Sequence, residues 1–331
     1  MTKIDIFSGF LGAGKTTLIK KLIKEAYAGE KVVLIENEFG EIGIDGGFLA
    51  DAGIEITEMN SGCICCSLVG DFSKALVKVL EEYNPDRIII EPSGVGKLSD
   101  VIRAAKTAEE HGAKLNCFTT VADVNKCKMY MKNFGEFYND QIANASAIVL
   151  SHTQSAKDEK ISECVSLLRQ HNESAIIVTT HWDALSGMDI LSAMEHKDTL
   201  EDAVKALEEE HKHHHHHHHH HHDHDEHCEC GCHDHHHHHH ADEVFASVGV
   251  ETTKKFTIEE ITSILESFSE SDDYGMILRA KGIVAGTDGF IHFDYVPGEP
   301  DVRSGSAAPT GRLCIIGANI REDALKALFQ L

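Results

Sequence analysis

Apolar residues in the first 205 positions alternate between short buried runs and stripes at helical spacing. Residues 15–28 carry apolar side chains on one helical face, and Asp71 is expected to cap a second helix over residues 72–83. Six short apolar runs predict buried strands, at residues 4–8, 32–35, 88–90, 118–122, 147–150 and 175–178. Strands that alternate with helices predict an α/β fold with a mostly parallel sheet and helices on both faces.

The pattern changes near the end of the chain. Strands are predicted at residues 245–250, 276–284, 290–296 and 312–317. Thr257 is expected to cap one helix, and residues 321–328 form another. Two glycines in the turn at residues 286–289 predict a hairpin. This part is therefore expected to be a small α+β domain.

A histidine-rich tract separates the two patterns. Residues 211–240 hold 20 of the 26 histidines, together with Cys228, Cys230 and Cys232, and no large apolar side chain. Such a segment cannot bury a core and is expected to be mobile. The predicted organisation is a first domain at 1–205, a flexible metal-binding linker at 206–242 and a C-terminal domain at 243–331.

Composition narrows the class of protein. The chain has 331 residues, of which 42% are apolar, and a formal net charge of −24. That charge argues against nucleic acid as a partner, because phosphate binding needs a basic face. No run of about 18 apolar residues predicts a membrane span, and the N-terminus does not resemble a signal peptide. A cytoplasmic location is expected, where ten cysteines indicate metal-binding or reactive thiols rather than disulfides.

Residues 9–16 match the phosphate-loop pattern G-x-x-x-x-G-K-[ST] between a predicted strand and a predicted helix. Backbone N–H groups of such a loop close around phosphate oxygens, and the helix N-terminus adds partial positive charge. Lys15 is expected to reach the terminal phosphates, and the Thr16 hydroxyl to ligate Mg²⁺. The residues predicted to bind the nucleotide here are Gly9, Gly12, Ala13, Gly14, Lys15, Thr16 and Thr17.

A carboxylate at the end of another strand completes the predicted catalytic group. The apolar run 88–90 ends in Glu91, and Gly94 follows three residues later. Glu91 is expected to hold Mg²⁺ through water, and the Gly94 N–H to face the γ-phosphate. Lys15, Thr16 and Glu91 are therefore the predicted catalytic residues.

Three thiols within four residues predict a metal site. Cys63, Cys65 and Cys66 can converge on one ion, and Zn²⁺ takes thiolates in tetrahedral geometry at about 2.3 Å. Glu41, a histidine or water could fill the fourth position, and Cu(I) or Co(II) would also fit these ligands. The tract with Cys228, Cys230 and Cys232 is expected to bind metal in weak, exchangeable modes.

Taken together, these motifs resemble the CobW-like P-loop GTPases, which are relatives of the nickel chaperones UreG and HypB. The resemblance implies GTP as the nucleotide, a first switch at residues 37–45, zinc or a similar ion at the thiol loop, and delivery of that metal to a client metalloprotein. The segments that carry it are residues 8–17, 36–45, 62–66, 91–94, 121–123, 141–150, 279–282 and 315–317.

The chain departs from this family where the base is read. Family members usually have Asn/Thr-Lys-x-Asp after the strand that ends near residue 150, whereas this chain has Ser-His-Thr-Gln at 151–154. His152 and Gln154 are therefore predicted to meet the base. A carboxylate accepts two hydrogen bonds from guanine, but the Gln154 amide has a single acceptor oxygen. The preference for GTP over ATP is left open.

The leading interpretation is a GTP-hydrolysing metallochaperone with Mg²⁺ and zinc. The alternative is a metal-buffering protein that stores ions on the His/Cys tract and retains a vestigial nucleotidase. A small-molecule kinase would share the phosphate loop but would leave the three thiols unexplained. The sequence names neither the client nor the physiological metal, and it leaves a homodimer open.

Overall fold

The computed structural model describes residues 1–36, 55–58, 69–195, 244–287, 289–305 and 311–331. The segments at 37–54, 59–68 and 196–243 lie outside it, and with them the predictions for Glu41, the three clustered thiols and the histidine-rich tract. The boundaries predicted between the three parts of the chain stay a prediction for the same reason.

The N-terminal part is a seven-stranded sheet in the order β3-β2-β4-β1-β5-β6-β7, and every described pair is parallel. Its strands are β1 (Thr2–Ser8), β2 (Val32–Glu36), β3 (Glu55–Glu58), β4 (Arg87–Glu91), β5 (Ala113–Asp123), β6 (Ala147–Ser151) and β7 (Ile176–Val178). The predicted α/β class and parallel sheet are confirmed. β3 was not predicted, since its sequence is half acidic.

Helices cover both faces of this sheet, as predicted. Apolar side chains alternate along the strands: Ile88 and Ile90 join one core cluster and Ile89 joins the other. Side chains of α2, α3, α4 and α5 pack on the first face, and those of α1 and α6 on the second. The helices are α1 (Lys15–Glu25), α2 (Val69–Tyr83), α3 (Leu98–Lys106), α4 (Cys127–Ala143), α5 (Asp158–Arg169) and α6 (Gly187–Met194).

The predicted cap at Asp71 is wrong. Helix α2 begins at Val69, so Asp71 lies inside its first turn. The prediction placed the N-cap at the polar residue that precedes the first apolar residue of the helical face. In the structure the helix begins two residues before that position, because a helix can include residues whose side chains do not face a core. Acidic residues are favourable in a first turn as well as at the cap, so the sequence alone did not separate the two positions.

The C-terminal domain (residues 244–331) is an antiparallel sheet in the order β12-β11-β10-β13-β8, with short β9 added parallel to β10. Its strands are β8 (Phe245–Thr252), β9 (Lys255–Phe256), β10 (Met276–Gly286), β11 (Phe290–Val296), β12 (Glu299–Gly305) and β13 (Gly311–Ala318). Helices α7 (Ile258–Glu270) and α8 (Glu322–Phe329) pack on one face. Thr257 caps α7 in a reciprocal capping box with Glu260, as expected. The α+β class is confirmed.

The other face of this sheet packs on the N-terminal domain. Phe245 lies against Phe134 and Phe137 of α4, with ring centroids 5.2 and 5.1 Å apart. Leu278 and Ile316 belong to the same buried cluster as the sheet of the N-terminal domain. The two domains therefore share one apolar core.

A buried network of ion pairs lies where the strands of the first sheet begin, and it joins β1 to β4. Asp5 is 0% exposed and pairs with the Arg87 guanidinium, while Asn116 Nδ2 donates to Asp5 Oδ1 at 2.7 Å. Arg87 also contacts Glu30 and Glu195, at 2.6 and 3.2 Å. These ion pairs and hydrogen bonds keep the pKa of Arg87 raised although burial alone would lower it. Glu195 follows α6, so this network also fixes the end of that helix.

We predict that Arg87→Met destabilises the protein by about 3–5 kcal/mol, because it leaves the buried Asp5 carboxylate without its cation. Urea unfolding followed by circular dichroism would measure the loss. Lys78→Met is the control, since Lys78 and Glu82 form an exposed pair 3.6 Å apart that should hardly contribute. Equal losses in the two variants would contradict the prediction.

Candidate nucleotide site

The loop between β1 and α1 wraps tightly because of its glycines. Gly9 has φ +137°, and a Cβ there would lie 2.4 Å from the Val121 carbonyl oxygen, so no other residue fits. Gly14 precedes α1 with φ +97°, and no side chain caps that helix. The first turn of α1 therefore presents its N–H groups toward the loop, which is the arrangement that binds phosphate.

Lys15 reaches across this loop. Its Nζ donates to the Gly9 carbonyl oxygen at 3.0 Å and lies 3.5 Å from that of Phe10. The side chain is buried with the loop backbone around it. A cation is thus held inside the loop, and its contact with the terminal phosphates stays a prediction.

Thr16 and Glu91 meet at the carboxyl edge of the sheet. The Thr16 hydroxyl donates to Glu91 Oε1 at 3.1 Å and to Oε2 at 3.2 Å. Glu91 ends β4, and the strand register pairs it with Glu36 at the end of β2. A hydroxyl and a carboxylate this close are the hard oxygen ligands that Mg²⁺ prefers.

The loop after Glu91 lies directly on the phosphate loop. A Cβ at Gly94 would lie 2.8 Å from the Leu11 nitrogen, so a glycine is required by this close approach. Gln141 of α4 is fully buried, and its amide donates to the carbonyls of Gly94 and Gly96 at 3.1 and 2.8 Å. Gln141 therefore positions Gly94, a role that the sequence did not reveal because it depends on a contact 47 residues away.

His152 does not point into solvent. It follows β6 in the left-handed region with φ +58°, and its Nδ1 lies 3.1 Å from Oδ2 of buried Asp123. Burial would raise the pKa of Asp123, but the close contact with the His152 imidazole outweighs it and lowers that pKa. The same contact raises the pKa of His152 against a smaller opposing effect of burial. Gln154, by contrast, is exposed.

Trp182 lies between the two nucleotide segments. Its indole Nε1 donates to the Leu150 carbonyl at 2.8 Å, and its ring lies 3.3 Å from where a Gly14 Cβ would be. No local pattern predicted this position of Trp182, since β7 and a short 3₁₀ turn bring it back from about 30 residues further along.

The predicted residues divide into three groups. Gly9, Gly12, Ala13, Gly14, Lys15 and Thr16 come together with Glu91 and Gly94 at one sheet edge. Thr17 lies on the exposed side of α1. The predicted metal ligands Glu41, Cys63, Cys65, Cys66, Cys228, Cys230 and Cys232 lie outside the described residues.

Two features are absent from the residues that the structure describes. Within them, no group of three or more His, Cys, Asp or Glu side chains is arranged to hold a metal ion. None of the helices that the structure describes is long and apolar enough to cross a membrane.

We predict that His152 titrates above the ordinary histidine value of about 6.5, because Asp123 stabilises its charged form. A folded-state pKa above the unfolded one contributes stability below the ordinary pKa, and that stability is lost as pH rises through the raised value. NMR titration, with His152→Gln to identify the resonance, would measure it. Asp123→Asn should return the midpoint toward the ordinary value, and an unchanged midpoint would show that the contact has no electrostatic effect.

Two known domain families match the chain, one after the other. Residues 3–179 match the CobW/HypB/UreG nucleotide-binding domain, and residues 245–330 match the cobalamin synthesis protein CobW C-terminal domain. The zinc chaperone YeiR of Escherichia coli K12 is 34% identical over 162 residues, which are 48% of this chain and 49% of that protein. The zinc chaperone YjiA of the same strain is 30% identical over 193 residues, or 56% of this chain and 59% of that protein.

The chain thus spans about half the length of the curated relatives it matches. Among solved structures, Zn(II)-bound YjiA GTPase from E. coli shares 21% identity and has a TM-score of 0.42, with 99% of this chain and 98% of that chain covered. The nucleotide-binding match alone extends over more than half of the chain. The chain therefore belongs to the CobW/HypB/UreG family, with a CobW C-terminal domain following the nucleotide-binding domain.

Proposed function

We propose that this chain is a GTP-hydrolysing metallochaperone that works in the cytoplasm. It binds GTP with Mg²⁺ at the phosphate loop and zinc, or a similar transition metal, at Cys63, Cys65 and Cys66. It passes that metal to a client metalloprotein in step with its nucleotide state. The observation that carries the proposal is the buried Lys15 ammonium beside the Thr16–Glu91 pair, at the N-terminus of α1.

Each residue of the site has a chemical task in this reaction. Lys15 neutralises the charge that spreads over the transferring phosphoryl oxygens. The Thr16 hydroxyl and the Glu91 carboxylate would hold a Mg²⁺ ion, which would neutralise phosphate charge when bound. Gly94, held by Gln141, presents its backbone at the phosphate side of the site. Hydrolysis then needs only a positioned water molecule and forms no covalent intermediate. Slow turnover would suit a protein in which hydrolysis times the delivery of the metal.

The metal part of the proposal is supported by the sequence and by the names of the relatives. Three thiols in four residues are a ligand set for zinc, and relatives in E. coli are named zinc chaperones. Cobalt and nickel bind to similar sets of protein ligands. The histidine-rich tract would add weaker sites that hold ions without one fixed geometry.

Guanine is the proposed base because a relative in Schizosaccharomyces pombe is named a zinc-regulated GTPase metalloprotein activator; it is 27% identical over 191 residues. Exposed Gln154 cannot offer guanine the two acceptors of an aspartate. We therefore expect a weaker discrimination against ATP than a family member with aspartate would have.

Lys15→Ala should lower GTP turnover by at least about 100-fold, because one preorganised charge at the phosphoryl group is worth that much. Phosphate release with GTP and Mg²⁺ measures it. Lys24→Ala is the control, since Lys24 is exposed on the same helix and faces away from the loop. Unchanged turnover in Lys15→Ala would sink the hydrolase proposal and favour the metal-buffering alternative.

Nucleotide and metal should be thermodynamically coupled. A bound γ-phosphate orders switch segments such as residues 37–45, which we expect to lie beside the thiol loop at the same sheet edge. Metal affinity should therefore differ between the complexes with GDP and with a non-hydrolysable GTP analogue by about 5–150-fold.

Chelator competition in protein without residues 211–240 would measure this, because the deletion removes the weak sites. Replacing Cys63, Cys65 and Cys66 by serine should abolish the remaining tight site and leave GTP binding in place. Equal metal affinities in the two nucleotide complexes would mean that the two sites only share a polypeptide.

A further inference from the structure

The C-terminal domain touches the phosphate loop itself. Val296, at the end of β11, packs on Gly12 so closely that a Cβ there would lie 2.1 Å from Val296 Cγ1. Phe245 of β8 packs edge-on against Phe10, with ring centroids 6.1 Å apart. Both contacts are made by loop residues that flank the bound phosphate in the proposed function, so the position of the C-terminal domain and the shape of the loop are linked.

A chain of charges continues from the C-terminal domain to the base side of the site. Glu299, which begins β12, has Oε1 3.0 Å from Lys126 Nζ. Lys126 Nζ lies 3.5 Å from Asp123 Oδ2, and that same oxygen lies 3.1 Å from His152 Nδ1. Glu299, Lys126, Asp123 and His152 thus form a charge relay of alternating sign across the domain boundary.

The two central residues of this relay, Lys126 and Asp123, are buried. The Asp123 and Lys126 side chains are 1% and 9% exposed. Charges in such surroundings interact more strongly than surface pairs, because solvent screens them less. Glu299 is half exposed, so its contribution is smaller but reaches His152 through buried partners. Without Glu299, the Lys126 ammonium would have Asp123 as its remaining carboxylate and would compete with His152 for it.

The backbone conformation of His152 requires stabilising contacts. Its φ of +58° is unfavourable for a residue with a side chain. It is a half-buried residue of the segment 151–154, which is predicted to meet the base. The Asp123 contact fixes the imidazole at Nδ1, and the backbone bond from Val124 N to the Ser151 carbonyl at 3.3 Å ties β5 to the same segment.

We infer that Glu299 of the C-terminal domain, acting through Lys126 and Asp123, is a positioning residue for recognition of the nucleotide base. Docking of the C-terminal domain and binding of the base are then coupled, and each favours the other by the same factor. The inference rests on the proposed nucleotide site. It concerns the base alone, because the contacts of the relay among the described residues end at His152.

The test uses the full chain and compares GDP with inorganic pyrophosphate, which has no base. Glu299→Gln should weaken GDP binding by about fivefold, the lower end of ordinary coupling between sites, and leave pyrophosphate binding unchanged. Asp301→Asn is the matched control, since Asp301 is an exposed acid on the same strand that pairs with Arg303. Isothermal titration calorimetry at constant salt would measure each affinity.

A double-mutant cycle tests the route. Lys126→Met removes the ammonium that would compete with His152 for Asp123, so it should not weaken GDP binding. Adding Glu299→Gln to it should have no further effect, because no competing cation is left. Glu299→Asp keeps the charge and should recover part of the loss. As the reciprocal readout, GDP should slow hydrogen exchange in residues 290–305 more than pyrophosphate does, and Glu299→Gln should remove that difference.

Three results would overturn the inference while leaving the proposed nucleotide site intact. They are GDP affinity equal to wild type in Glu299→Gln, equal losses for GDP and pyrophosphate, and additive effects of Glu299→Gln and Lys126→Met. A wild-type chain that binds neither GDP nor pyrophosphate would instead overturn the proposed function, and this inference with it.

Discussion

The parallel pairing of β1 with β4 and β5 is the constraint on which the site depends. The register sets Ile6 against Ile90 and Ser8 against Thr120, so three strands end at one edge of the sheet. Parallel strands turn at that edge into the loops that bind ligands. Lys15, Glu91 and Asp123 are far apart in sequence, and this register brings all three to the carboxyl ends of neighbouring strands. A slip of one residue would turn Glu91 to the opposite face.

Strand and helix patterns with strong periodicity were predictable from the sequence. The phosphate loop was predictable for a different reason: glycine, lysine and threonine at fixed spacing express a local geometry that needs no distant partner. Helices α3 to α6 were not identified, although Leu98, Val101, Ile102 and Ala105 of α3 follow helical spacing. Their helical state is stabilised mainly by packing on the sheet.

At the site, long-range contacts limited how much could be predicted from the sequence. His152 was expected to face the base, but its pairing with Asp123 depends on the neighbouring ends of β5 and β6, which no local pattern encodes. Trp182 and Gln141 act through single hydrogen bonds to distant backbone carbonyls. The thiolate site stays a prediction from sequence, since Cys63, Cys65 and Cys66 lie outside the described residues.

The buried network at Arg87 has a topological consequence for the histidine-rich tract. Glu195 is bound to Lys3 and Arg87 where β1 and β4 begin, whereas Phe245 packs on Phe10 at the far ends of the strands. The chain between these two points must therefore span the length of the strands, which is about 20 Å. Without the 30 residues 211–240, the 18 residues that remain between 196 and 243 could span about 60 Å when extended. The tract is therefore far longer than a tether requires, and its length can vary without straining either anchor.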